Sequence, residues 1–132
     1  MPDVVDASVL LDTCALLWWA TADKALGRKV KRLLANDSTK VFVSSASAWE
    51  ITTKVRLGKL EWKGPDSVET YCIRQRFELL PITFAHAEKA GAWPQPHGDP
   101  FDRMIAAQSA LEGVPLATND AMLKRFGVQT IW

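Results

Sequence analysis

A chain of 132 residues, 48% apolar and 23% charged, suits one globular domain with a single core. No apolar run approaches the ~20 residues that cross a bilayer, the first residues lack the basic segment and apolar run of a secretory leader, and Cys14 and Cys72 form neither a metal-ligand motif nor a disulfide framework. A formal net charge of +1 does not mark a nucleic-acid binder by itself, so local basic clusters carry that question. The expectation is a cytoplasmic protein without a membrane segment, with two buried free thiols.

Residues 7–11, Ala-Ser-Val-Leu-Leu, read as a strand apolar enough to be buried on both faces. Residues 14–21 predict a short helix that is apolar nearly all round, and residues 24–35 a basic amphipathic helix with Leu26, Val30, Leu33 and Leu34 inward. Residues 36–39 are a loop and 40–43 the second strand. Ser44 and Ser45 offer caps for a helix to about Leu57, with Ala48, Ile51 and Val55 at core spacing and Gly58 as its stop. Residues 62–65 form a loop, and Asp66 is expected to cap a helix to about Phe77.

A strand follows over 78–82, then a helix from the cap Thr83 to about Ala90. Residues 93–98, Trp-Pro-Gln-Pro-His-Gly, cannot be helix. Asp99 with Pro100 and Asp102 reads as an N-cap, first helical residue and reciprocal partner of a helix to about Glu112, closed by Gly113. A strand over 116–118, a helix over 121–126 and an edge strand over 128–131 complete the chain. Strands alternating with helices predict a three-layer α/β domain spanning residues 1–132, its central sheet mainly parallel and covered on both faces.

In such sheets ligands bind beyond the carboxyl ends of the strands. Asp12 and Asp120 stand at such ends, Glu50 lies in the helix after the second strand, and Asp102 opens a later helix. Each acid also has a structural reading: Asp12, Asp99 and Asp120 as caps, Asp102 as a first-turn acid, and Glu50 as an i,i+4 partner of Lys54. Four carboxylates gathered in one cleft need compensating charge. Magnesium, with manganese as the alternative, supplies it through oxygen ligands and supports in-line displacement at phosphorus. His86 and His97 lack metal-ligand spacing; His97, near Asp99 and Asp102, is close enough to touch a substrate phosphate.

The segments Leu10-Leu11-Asp12-Thr13-Cys14-Ala15-Leu16-Leu17-Trp18-Trp19, Val43-Ser44-Ser45-Ala46-Ser47-Ala48-Trp49-Glu50-Ile51, Lys54-Val55-Arg56-Leu57-Gly58-Lys59-Leu60, His97-Gly98-Asp99-Pro100-Phe101-Asp102-Arg103 and Leu116-Ala117-Thr118-Asn119-Asp120 occur in that order. In this they resemble PIN-domain proteins, most closely the VapC-type toxin ribonucleases of bacterial toxin–antitoxin systems. The resemblance implies a magnesium-dependent endoribonuclease that attacks RNA phosphodiesters with metal-activated water. It carries Asp12, Glu50, Asp102 and Asp120 over as the metal site, makes Asp99 a second acid of the third motif, and sets Thr13 and Thr118 beside it. Lys54, Arg56 and Arg103 are candidates to hold phosphates.

The expected partners are RNA, a cognate antitoxin and a second copy of the chain in a homodimer. The helix bearing Leu16, Leu17, Trp18 and Trp19 is expected to meet one of those proteins, because a small domain cannot easily cover its whole circumference. Two other readings stand beside this one. One is a catalytically silent binding module. The other is a different magnesium-dependent phosphohydrolase, although no Asp-x-Asp pair follows the first strand as in haloacid dehalogenases.

Overall fold

The computed structural model describes residues 7–65 and 67–132. Its centre is β1 (Ser8–Leu11), flanked by β2 (Lys40–Ser44) and β4 (Leu116–Ala117), with β3 (Glu78–Leu80) and β5 (Thr130–Ile131) at the edges. All four pairings are parallel, in the order β3-β2-β1-β4-β5. Successive strand residues point to opposite faces. Val9 and Leu11 accordingly enter one core with Leu16, Val30 and Ile51, while Leu10 enters the other with Ala46, Ile105, Leu116 and Leu123. Complete burial of each of the valine, leucine and isoleucine side chains contributes about 1.5–3 kcal/mol relative to exposure. The result is the expected three-layer α/β domain.

Parallel strands require crossover connections, and helices supply them. The described helices are α1 (Thr13–Ala20), α2 (Arg28–Ala35), α3 (Ser45–Arg56), α4 (Val68–Arg74), α5 (Phe84–Ala92), α6 (Pro100–Glu112) and α7 (Ala121–Lys124). The Asp99 cap, Pro100 start and left-handed Gly113 stop of α6 fall where the sequence places them. The edge position of the last strand also agrees, over a shorter span.

Several boundaries differ. Helix α2 begins at Arg28 because residues 21–27 turn first: Ala22 has φ 52° and the Asp23 carboxylate accepts from Ala25 N at 2.8 Å. Gly27 precedes α2 where a Cβ would lie 2.4 Å from the backbone of Trp132. Helix α4 is capped by Ser67, which accepts from Thr70 N at 3.0 Å; the predicted cap, Asp66, lies outside the described residues, as do residues 1–6. Helix α4 also stops at Arg74, since Arg76 is left-handed (φ 61°) and Phe77 N donates to Cys72 O. Strand β3 ends before Pro81, which has no N–H to offer a ladder. Helix α7 ends at Lys124 rather than Phe126.

The inward face of α3 is Ala46, Ser47, Glu50 and Ile51, whereas Val55, predicted to face the core, is 41% exposed. Helix α1 is covered more fully than its composition suggests. Leu16 is wholly buried, and Leu17, Trp18 and Trp19 pack against the core of the same chain. Trp18 meets Trp132 edge to face at 5.6 Å, and Trp19 Nε1 donates to Gln75. Of the two thiols, Cys72 is buried as expected but Cys14 is exposed. No helix among the described residues is long and apolar enough to cross a membrane.

Candidate metal and phosphodiester site

The strand order reverses around β1, which makes its carboxyl end a natural crevice. A cleft of about 370 Å³ opens there, lined by Asp12, Glu50, Asp99, Asp102 and Asp120 together with Thr13, Cys14, Trp18, Lys54 and Asn119. Among the described residues that line it, five carboxylates face a single ammonium.

Asp12 follows β1 directly and caps α1, its Oδ1 accepting from Ala15 N at 2.7 Å. It is buried, and desolvation pushes its carboxyl up to about 6; Thr118 and the Ala15 amide oppose that rise, while Asp102 and Asp120 add to it. Glu50 projects from the inward face of α3. Its Oε2 accepts from Lys54 Nζ at 2.7 Å, and its Oε1 is buried without a partner among the described residues. The Glu50 hydrogen bond holds the Lys54 ammonium above its ordinary pKa.

Asp102 sits in the first turn of α6, its Oδ2 2.9 Å from His97 Nε2. Desolvation raises its carboxyl; the His97 hydrogen bond opposes that, and the charges of Asp99 and Glu50 reinforce it. Asp99 caps α6 by accepting from the amides of Phe101 (2.9 Å) and Asp102 (3.2 Å). Asp120 is exposed and caps α7 through Met122 N at 2.8 Å.

The polar neighbours fall into place around these acids. Thr13 shares a buried 2.9 Å hydrogen bond with Ser47, and Thr118 Oγ1 accepts from Asp120 N. Ser47 was not singled out in the sequence. Its signal was its place one turn before Glu50, on the same helix face. Cys14, Trp18 and Asn119 join the lining without having been predicted as site residues.

Of the candidate phosphate holders, Lys54 lines the cleft and Arg56 does not. Arg103 is turned away from it, donating from Nε to Ala90 O and from its two Nη atoms to the carbonyls of Trp93, Gln95 and His97. A guanidinium with three bonds to the loop and one to the end of α5 has little left for a phosphate. His86, read as a non-ligand, completes a capping box with Thr83 and reaches Glu112.

The donors are hard carboxylate oxygens, the chemistry that magnesium and manganese prefer. Among the described residues, no three acids, histidines or cysteines are drawn close enough together to grip an ion. The reason is visible in the hydrogen bonds: Asp12, Asp99 and Asp120 are turned onto helix amides, Glu50 onto Lys54 and Asp102 onto His97. The unpartnered Glu50 oxygen and the raised carboxyls are features a cation would relieve, so the residues fit one in chemistry.

A family model described as PIN domain matches residues 9–129. Among solved structures, the chain is similar to VapC20 of Mycobacterium tuberculosis, a sarcin-ricin loop cleaving toxin: TM-score 0.67, 19% identity, covering 93% of this chain and 98% of that one. It is similar to a chain of the Rickettsia felis VapBC2 complex bound to promoter DNA (TM-score 0.66, 16% identity, 95% and 97% covered). A chain of DNA-bound VapBC from Salmonella typhimurium is likewise similar (TM-score 0.64, 20% identity, 96% and 97% covered). At these identities the likeness is one of fold. No curated protein matches the chain.

Proposed function

The chain belongs to the PIN-domain family, and from that premise we propose that it is a metal-dependent endoribonuclease, the toxin of a toxin–antitoxin pair. The observation that carries the reading is the gathering of Asp12, Glu50, Asp99, Asp102 and Asp120 around one cleft at the carboxyl end of β1. Asp12, Glu50, Asp102 and Asp120 would hold magnesium or manganese, with Asp99 chiefly capping α6. Such an ion, when bound, lowers the pKa of a water and offsets charge on the leaving oxygen of an in-line displacement.

The chain's own residues have separate tasks. Lys54 supplies the positive charge that draws an RNA phosphate into an otherwise acidic cleft. Thr13 and Ser47 brace the start of α1 against α3, and Thr118 holds the turn that presents Asp120. The site of action that follows from an RNA substrate is the cytoplasm.

For protein partners we propose a cognate antitoxin and a second copy of the chain. Two of the similar structures are VapBC complexes, and a groove of about 660 Å³ between α1, α2 and α4 offers a seat for an apolar segment, lined by Trp18, Trp19, Leu26 and Tyr71 among others. Large apolar groups remain exposed elsewhere, with Phe84 at 89% and Trp49 at 58%, and these favour a further interface.

The test is cleavage of single-stranded RNA by metal-stripped protein with and without added Mg²⁺, beside a phosphomonoester control. RNA cleavage only with metal, lost by at least about 100-fold in Asp102→Asn, supports the reading. The carboxylates turned onto local partners favour one competitor, a silent binding module. A folded protein that neither binds Mn²⁺ nor cuts RNA would establish that competitor, and turnover of the phosphomonoester alone would point to a different phosphohydrolase.

A further inference from the structure

The loop between α5 and α6 is built to be held from outside. Pro94 and Pro96 have no N–H, which leaves the loop short of donors for its own carbonyls. In an extended chain alternate carbonyls share a side, and Arg103 collects those of Trp93, Gln95 and His97, with Ala90 O on its Nε. Gln95 Nε2 ties the loop again, to Arg125 O at 2.8 Å. Beneath it Phe126 meets Trp93 edge to face at 4.9 Å, lies 6.0 Å from the His97 ring and sits under the Arg103 guanidinium at 5.9 Å.

These contacts hold the backbone from which the His97 imidazole projects, with the Phe126 ring beside it. The His97 side chain is only 14% exposed and does not line the cleft, so it is not placed to bind substrate phosphate. Its Nε2 lies 2.9 Å from Asp102 Oδ2. A carboxylate bonded through one oxygen to a clamped donor cannot turn freely about its last torsion.

We propose that His97 is a positioning residue: clamped by Arg103 and Phe126, it donates Nε2–H to Asp102 Oδ2 and fixes the orientation in which that carboxylate enters the cleft. This rests on the reading of the cleft as a divalent-cation site. Groups that hydrogen-bond a metal's ligands and so orient them are typically worth about 10- to 100-fold in metal affinity. The three Arg103 hydrogen bonds to the loop, beside the one to Ala90 in α5, then have a purpose, since the loop's job is to aim His97.

The experiment compares His97→Gln with His97→Asn. The Gln amide nitrogen reaches about where Nε2 stands, and the Asn amide falls short of it. Mn²⁺ binding is measured by titration calorimetry on metal-stripped protein, with thermal melting to confirm the fold. His97→Asn is expected to bind Mn²⁺ about 10- to 100-fold more weakly than the wild type, with His97→Gln recovering most of the loss. RNA cleavage by His97→Asn should rise towards the wild-type rate as Mn²⁺ is raised, with RNA KM unchanged. If the Asn variant fails to fold, Arg103→Lys replaces it, loosening the loop while keeping the His97 imidazole, and the same weakening is expected. Wild-type binding matched by the Asn variant, or equal losses in Asn and Gln, overturns the positioning role alone. A wild type that binds no Mn²⁺ overturns the cation-site reading and this proposal together.

Discussion

Lys54 Nζ lies 2.7 Å from Glu50 Oε2, one helical turn away, while the other oxygen of the same buried carboxylate has no partner among the described residues. The lysine is half exposed, its side chain at 47%, so it stands between solvent and the acidic cleft. It neutralises part of a charge that burial makes costly, yet leaves Oε1 free for another cation.

Lys54→Met should therefore separate two effects. Metal-free stability is expected to fall by about 1 kcal/mol, the loss being limited because water reaches the ammonium. RNA affinity should fall as well, with the slope of its salt dependence reduced by about one, while Mn²⁺ affinity rises as the competing charge goes. Urea unfolding, RNA binding at several salt concentrations and Mn²⁺ titration read the three. An unchanged salt slope would remove Lys54 from the substrate contacts.

Asp12 gives a pH signature. Its carboxyl rises from 3.8 to about 6, chiefly through burial. Without metal, the folded protein holds this proton more tightly than the unfolded chain. The associated stability is full below about pH 4 and is lost as pH rises through 6. Two units correspond to about 3 kcal/mol. Asparagine also caps helices, so Asp12→Asn should melt above the wild type at pH 7 in EDTA, with the gap closing near pH 4, and should lose RNA cleavage. A gap independent of pH would show that the carboxyl is not perturbed as stated.

Much of this arrangement was legible before the structure because its signals are local. The run Leu10-Leu11 ending in Asp12 announces a strand buried on both faces and an acid at its end, and Asp99, Pro100 and Gly113 bracket α6 by their own backbone preferences. What stayed hidden depends on distant contacts. The delayed start of α2 is set beside Trp132, at the other end of the chain. The stop of α4 uses a left-handed Arg76, where no glycine advertises it. The task of Arg103 could not be read from its place after Asp102, because the carbonyls it binds face it only once the proline-rich loop has taken its shape. The inward face of α3 departs from its apolar pattern, with Val55 outward, since buried Ser47 and Glu50 take the side that pattern claims.

Asp99 and Asp102 are three residues apart and make opposite kinds of contact. Asp99 accepts from two helix amides, whereas Asp102 accepts from a side chain and carries a raised carboxyl. Serine caps about as well as aspartate. Asp99→Ser is thus expected to change stability by less than ~0.5 kcal/mol and to retain most RNA cleavage. Asp102→Ser should fold and lose cleavage. Parallel melting curves and initial rates decide it, and the reverse ranking would exchange the roles of the two acids.

The groove between α1, α2 and α4 divides the apolar residues of α1 into two classes. Leu16 faces the core and is fully buried, so Leu16→Ala should cost about 2–5 kcal/mol whatever partner is present. Trp19 is half buried at the groove wall and held by the Gln75 hydrogen bond, so Trp19→Ala should cost less in the free protein, because water already reaches part of the ring. The same change removes a large, rigid aromatic surface from the proposed antitoxin seat, where truncation of such an anchor typically costs 2 kcal/mol or more, about 30-fold in Kd. Ile73→Ala, on α4 but outside the groove lining, supplies the control, since it is 59% exposed. Antitoxin titration against the three folded variants should therefore rank Trp19→Ala far weaker than Ile73→Ala. Equal affinities for those two variants would move the antitoxin off this groove and leave α1 a helix that serves only its own core.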